Sequence, residues 1–110
     1  IGKSVYIGTG STISRGTIDD TLIGDETSID ALCQVSHNCI LGKKNTLVSG
    51  TYLYGSVETG NNVYIASSVV LNQVKIGDNV TVGMNSTVMS NIKSGLTVYG
   101  TPAKARPNNK

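Results

Sequence analysis

A chain of 110 residues has room for one small domain, and with no Trp and no Phe it has little aromatic bulk for an ordinary globular core. A net charge of +2, carried by scattered basic residues, is too small to argue for nucleic acid. No run approaches the ~18 apolar residues of a membrane span.

The apolar positions are mainly Val, Ile and Leu, and the polar ones lean to Thr, Ser, Asn and Gly, a composition of strands and turns. From the first residue onward an aliphatic-small pair recurs: Ile1-Gly2, Ile7-Gly8, Ile13-Ser14, Ile23-Gly24, Ile29-Asp30 and Val35-Ser36. The series continues through Leu41-Gly42, Leu47-Val48, Leu53-Tyr54, Thr59-Gly60, Ile65-Ala66 and Leu71-Asn72. It ends with Ile76-Gly77, Val82-Gly83 and Val88-Met89. The step is six residues almost throughout. Four residues after each first position stands a second small or β-branched residue, such as Val5, Ser11, Thr17, Thr27, Cys33, Cys39, Thr51, Val57, Val63, Val69, Val80 and Ser86.

A period of six fits neither an amphipathic helix nor a simple half-buried strand. It fits a short strand, a corner, and the same again, which predicts a parallel β-helix. One strand cannot bury its own apolar face. Three strands wound into a triangular coil enclose an interior, and coils stack about 4.8 Å apart through parallel ladders. The first position fills the interior, the fifth points into a tight corner, and the second, often Gly, lies near the turn. The expected fold is an all-β solenoid of about six coils, with the repeat over residues 1–99 and a C-terminal tail over 100–110. The basic residues of that tail, Lys104, Arg106 and Lys110, read as a frayed, solvated end. The opening at Ile1, in mid-pattern and without Met or signal peptide, reads as that of an excised piece.

Two irregularities break the step. Ile13 to Ile23 is ten residues, which leaves "DDTL" (19–22) as extra, with Asp19 and Asp20 on a solvated turn. Leu71 to Ile76 is five, which places a missing residue at "LNQVK". Loops on a rigid solenoid are common functional sites. Cys33 and Cys39 fall at fifth positions and read as buried thiols filling the core. With one His they make a poor zinc site, and no metal is expected.

The only histidine, His37, lies in "IDALCQVSHNCILG" (29–42). It takes a third position, so it points outward from a corner, where it is either a solvated surface residue or a reactive one.

The hexapeptide pattern resembles that of the left-handed β-helix acyltransferases, and left-handedness is what the resemblance implies. Within that superfamily three stretches are similar to the UDP-3-O-acylglucosamine N-acyltransferases. "ISRGTIDDTLIG" (13–24) resembles I-D-R-G-x-x-D-D-T-x-I-G. "IDALCQVSHNCILG" resembles I-D-N-x-x-Q-I-A-H-N-x-x-I-G, and "NVTVGMNSTVMSNI" (79–92) resembles the stretch before the C-terminal cap.

The resemblance implies His37 as the general base that takes a proton from an attacking amine or hydroxyl. It implies the backbone N–H of Gly55, eighteen residues on in "YLYGS", as the oxyanion donor for the thioester carbonyl. Asp30 matches an acid near the acceptor that positions an amino sugar or orients the base. Gln34 and Asn38 flank His37 and hold it or the substrate. Tyr52, Tyr54 and Tyr64 are candidates for a subunit interface or a donor groove.

The sequence departs from that family in four places. Ser14 replaces the Asp of I-D-R-G. A second His, in G-H-x-E-I, is replaced in "LNQVKIG" by Val74. The N-terminal uridine-binding domain and the helical C-terminal extension lie outside these 110 residues, whether by excision or truly. The ending "VYGTPAKARP" is similar instead to the G-x-P-A-K close of acetyl-CoA-dependent sugar acetyltransferases.

The expected activity is transfer of an acyl group from a thioester, on acyl carrier protein or CoA, to the amine of a nucleotide-linked amino sugar. That enzyme would be a cytoplasmic homotrimer, by resemblance, with no permanently bound cofactor. The first alternative is acetyl transfer from acetyl-CoA to a sugar N or O. The second is a non-catalytic trimeric scaffold or binding module. A γ-class carbonic anhydrase needs three zinc histidines and this chain has one. An ice-binding solenoid needs a regular T-x-T face, which is missing.

Overall fold

A chain with a six-residue period must turn at every sixth residue, and the computed structural model shows how. It describes residues 1–16 and 20–106; Thr17, Asp19 and Lys110 lie outside them. Each side of the coil offers two residues of strand, three at Thr97–Tyr99. Tyr6–Ile7, Ser28–Ile29, Thr46–Leu47, Tyr64–Ile65, Thr81–Val82 and Thr97–Tyr99 stack in that order into the first sheet. Thr12–Ile13, Gln34–Val35, Tyr52–Leu53, Val69–Val70 and Thr87–Val88 make the second. Leu22–Ile23, Ile40–Leu41, Glu58–Thr59 and Lys75–Ile76 make the third, which Ile92 extends by a parallel bridge to Ile76. The architecture is an all-β, left-handed parallel β-helix of about five coils. That is fewer than length alone implies, because the ten-residue step and the residues after Tyr99 lie outside the repeat.

In each strand the second residue points in. Ile29, Val35, Leu47, Leu53, Ile65, Val70 and Val82 are fully buried, stacked directly above one another at register pairs such as Val35↔Leu53 and Leu47↔Ile65. The fifth positions fill the inner corners with smaller side chains: Thr27, Cys33, Cys39, Asn45, Thr51, Val57 and Val63. Where such a residue is polar it bonds between coils. Asn45 donates from Nδ2 to Thr59 Oγ1 at 2.7 Å and accepts at Oδ1 from Val63 N–H at 2.8 Å. No buried side-chain nitrogen or oxygen among the described residues lacks a partner.

The turn itself is made by one left-handed residue per corner, at the fourth position rather than the second: Glu26, Leu32, Asn38, Lys44, Ser56, Asn62, Gln73, Asn79 and Asn85 all have φ between 55° and 66°. A non-glycine residue there is strained by about 1–2 kcal/mol. The compensation is visible: each turn N–H bonds to the coil below, as in Lys44 N–H to Asp25 O at 2.9 Å and Ser56 N–H to His37 O at 2.9 Å. Glycine at the second position answers a different need. A Cβ on Gly24 would collide with the carbonyl of Gly42 in the next coil.

The structure corrects the reading of the short step. Register pairs run twenty-two residues apart across the ten-residue step, at Ile7↔Ile29 and Ile13↔Val35, eighteen from Ile23↔Leu41 to Leu47↔Ile65, then seventeen at Leu53↔Val70 and Thr59↔Ile76. The missing residue therefore lies between Ile65 and Val70, at the Ala66–Ser67 corner, and not in "LNQVK". Val70 is the buried residue, Ser68 takes the inner corner, and Val69 and Leu71 are half-buried.

The tail is corrected too. Lys104–Ala105 pairs antiparallel with Thr97–Tyr99, so Lys104 and Arg106 are not frayed. Arg106 stacks 5.1 Å from the Tyr99 ring centroid and donates from Nε to Tyr99 O at 3.2 Å. Ala103 N–H bonds to Thr87 O at 2.8 Å, which folds the tail over the last rung of the second sheet.

Candidate active site

The corner between the second and third sheets holds His37. Strand Gln34–Val35 runs into Ser36–His37–Asn38. Ser36 N–H continues the ladder to Leu53 O at 3.0 Å, and Asn38, at φ 62°, turns the chain so that Cys39 points inward. Asparagine tolerates that conformation better than most residues. His37, between them, projects outward and is exposed.

His37 Nδ1 lies 3.1 Å from Asn38 Oδ1. A carbonyl oxygen only accepts, so this contact favours the tautomer with the proton on Nδ1 and the lone pair on Nε2. The ring lies over Gly55, one coil up. A Cβ built on Gly55 would stand 2.6 Å from His37 Cε1 and 2.8 Å from Nε2. A side chain at Gly55 would displace the imidazole from this place. Gly55 O accepts from Gln73 N–H at 3.0 Å, while its own N–H bonds to none of the described residues. At the corner between the third and first sheets the matching N–H groups of Lys43, Asn61 and Asp78 are each taken up by a side-chain oxygen.

Beside this pair stand Tyr52 and Tyr54, with ring centroids 4.6 Å apart and tilted by 45°. Both are exposed. Tyr52 is the register partner of Gln34, so Gln34, Tyr52 and Tyr54 border His37 on the outer side of the second sheet. Beneath Tyr54 the Cys39 thiol donates to its carbonyl oxygen at 3.2 Å. Burial pushes both thiols, Cys39 and Cys33, above their ordinary range, so they pack as neutral groups.

The remaining candidates divide. Asn38 is in contact with the His37 ring. Asp30 is not: it sits at the corner between the first and second sheets, with the strand Gln34–Val35 between it and His37. Its Oδ1 accepts from Ala31 N–H at 3.0 Å. Tyr64 stands on the first sheet, away from Tyr52 and Tyr54. Val74 is buried, so this chain has no second imidazole at that place. Asp20 is exposed. Among the described residues no group of three His, Cys, Asp or Glu is placed to hold a metal ion, and no helix is long and apolar enough to cross a membrane.

Sequence reasoning missed Thr21. The ten-residue step from Ile13 to Ile23 bridges the same corner, one coil below His37, and Thr21 at its end accepts the Asn38 N–H at Oγ1 over 2.9 Å. The motif "DDT" holds this residue, but its two carboxylates drew the reading.

Residues 56–90 match the bacterial transferase hexapeptide family (six repeats), so the chain carries that repeat. Over 94% of its length it is 35% identical to a UDP-3-O-acylglucosamine N-acyltransferase of Methylorubrum extorquens, of which it covers 30%. Over 99% it is 33% identical to an acyl-[acyl-carrier-protein]–UDP-N-acetylglucosamine O-acyltransferase of Pseudomonas putida, of which it covers 44%. The chain thus spans less than half the length of these curated relatives. Among solved structures, a mutant of GDP-perosamine N-acetyltransferase from Caulobacter crescentus in complex with CoA and GDP-perosamine superposes with a TM-score of 0.84. It is 26% identical, over 97% of this chain and 54% of that one.

Proposed function

We propose that this chain is the catalytic β-helix of an acyltransferase that moves an acyl group from a thioester to the amine of a nucleotide-linked amino sugar. One observation carries the reading: the imidazole of His37, with its lone pair on Nε2, lies directly against Gly55, whose N–H bonds to none of the described residues. A base and an oxyanion donor one coil apart are the two groups that aminolysis of a thioester needs.

The steps follow from that pair. The acceptor nitrogen, as free amine, attacks the thioester carbonyl. His37 Nε2 takes the proton that the nitrogen sheds as the C–N bond forms. Negative charge gathers on the carbonyl oxygen, where the Gly55 N–H receives it. Collapse breaks the C–S bond, and the imidazolium returns its proton to the departing thiolate. Asn38 holds the ring in the tautomer that leaves Nε2 open. Gln34, Tyr52 and Tyr54 give the adjoining wall against which substrate lies.

The relatives named for acyl-carrier-protein and UDP-sugar substrates support a carrier-bound or CoA-bound donor, with no resident cofactor. We place the reaction in the cytoplasm, where such thioesters are made. Asp30 stands at another edge of the prism, so it serves the acceptor only if a second copy brings that edge to His37. A homotrimer with sites between copies meets this requirement, and sedimentation of the protein tests it.

A second reading is acetyl transfer from acetyl-CoA to a sugar nitrogen or oxygen. The CoA-bound structural neighbour and the ending Gly100-Thr101-Pro102-Ala103-Lys104 favour it.

Both readings meet one experiment. The protein receives acetyl-CoA, or acyl carrier protein charged with a longer chain, with a panel of nucleotide amino sugars, and free thiol is followed beside His37→Ala. Release that requires one acceptor and vanishes in the variant is the expected result. The donor that works selects between the readings. An unchanged rate in His37→Ala overturns both.

A further inference from the structure

We infer that Thr21 is a positioning residue for the His37 imidazole, acting through Asn38. The inference rests on the corner pattern. In the coils above, the left-handed residue of this edge donates its N–H to the carbonyl of the corner residue below: Ser56 to His37 O at 2.9 Å and Gln73 to Gly55 O at 3.0 Å. Asn38 is the next residue down that column. Beneath it the regular corner is replaced by the ten-residue step from Ile13 to Ile23. The acceptor there is a side chain, Thr21 Oγ1, at 2.9 Å from Asn38 N.

Thr21 therefore supplies the bond that a regular coil would have supplied from its backbone. That bond secures Asn38 at φ 62°, and in this conformation the Asn38 amide oxygen meets His37 Nδ1 at 3.1 Å. The chain of contacts runs from the end of the irregular step to the protonated nitrogen of the ring. Without the Thr21 oxygen the Asn38 N–H loses its acceptor, the turn relaxes, and the amide no longer selects between the two neutral forms of the imidazole. Thr21 touches neither the reacting atoms nor the ring, so its effect is on which nitrogen of His37 bears the proton.

The test uses the fact that His37 is the only histidine. The whole 110-residue chain is labelled with nitrogen-15, and the imidazole is observed by NMR at an alkaline pH where its nitrogen shifts no longer change. The parent and Thr21→Ser are expected to show the Nδ1-protonated pattern alone. Thr21→Val, which keeps the shape and removes the oxygen, is expected to lose it and to show a mixture with the Nε2-protonated form. An unchanged pattern in Thr21→Val overturns the inference, as does its loss in Thr21→Ser. If Thr21→Val does not give the parent's circular dichroism, Thr21→Ala is recorded in its place with the same two outcomes.

Kinetics then separate this inference from the reading of His37 as the base, on which its functional meaning rests. With both correct, kcat falls in proportion to the lost tautomer while KM for the acceptor holds. A changed tautomer with an unchanged kcat upholds the role of Thr21 and overturns the role of His37.

Discussion

The His37 imidazole occupies the space where a side chain on Gly55 would be: a Cβ there would stand 2.6 Å from Cε1 and 2.8 Å from Nε2. Replacing Gly55 with alanine must therefore move the ring. Because His37 is exposed, the ring has room to swing outward and the fold survives. In Gly55→Ala we expect a thermal midpoint within a few degrees of the parent and a fall in kcat of about 10²-fold or more, the size of a lost general base. Parent-like turnover in Gly55→Ala would show that the ring does not need its present place.

The two buried thiols give a pH prediction. Burial raises the pKa of Cys33 and Cys39 above their ordinary value of 9.0. The folded chain thus keeps protons that the unfolded chain gives up. Their contribution to stability is complete below pH 9, the unfolded value, and is lost as pH rises above it toward the raised folded values. Urea midpoints measured from pH 7 to 10.5 should fall at the alkaline end, and Cys33→Ala with Cys39→Ala should flatten that fall. Labelling with a thiol reagent at pH 8 should be negligible until denaturant is added.

Asn45 ties three coils together from inside. In Asn45→Ala the Val63 N–H and the Thr59 hydroxyl both lose a buried partner. A buried group left unsatisfied costs about 1–3 kcal/mol, so a loss of about 2–4 kcal/mol is expected from the urea midpoint. A change below about 0.5 kcal/mol would mean that other partners take over.

Arg106 fastens the folded-back tail to Tyr99 by its ring contact and one hydrogen bond. Arg106→Ala should lower stability by about 1 kcal/mol. Lys104→Ala, whose side chain is exposed on the same short strand, should change it by less than about half that. Equal effects would mean that the tail is held by its backbone alone.

Much of this molecule is legible in its sequence, for a simple physical reason. The interior accepts one residue per side, so Ile23, Ile29, Val35, Leu41, Leu47 and Leu53 repeat at the period of the turns. The repeat fails to guide where several neighbours qualify. In Val69-Val70-Leu71 three aliphatics stand in a row, and the one that enters is decided by stacking between Leu53 and Val88. The fold-back of residues 104–105 has no periodic signal, because it pairs once and antiparallel. The pairing of His37 with a glycine came from the family resemblance, and the eighteen-residue lap located that glycine at Gly55. Thr21 was not legible, since its importance comes from replacing a missing backbone carbonyl, and no residue pattern announces a missing atom.

The stacking of His37 beneath Gly55 means that the pair is stored in the chain as an interval: one lap of the prism, eighteen residues at the Val35↔Leu53 register. An insertion or deletion in 38–54 that no corner absorbed would slide the two residues out of alignment, however conservative its chemistry. The ten-residue step at 13–23 and the short corner at 66–67 both fall outside that lap. At 66–67 the solenoid absorbs the missing residue as a tightened bend, while the lap from His37 to Gly55 runs its full eighteen residues.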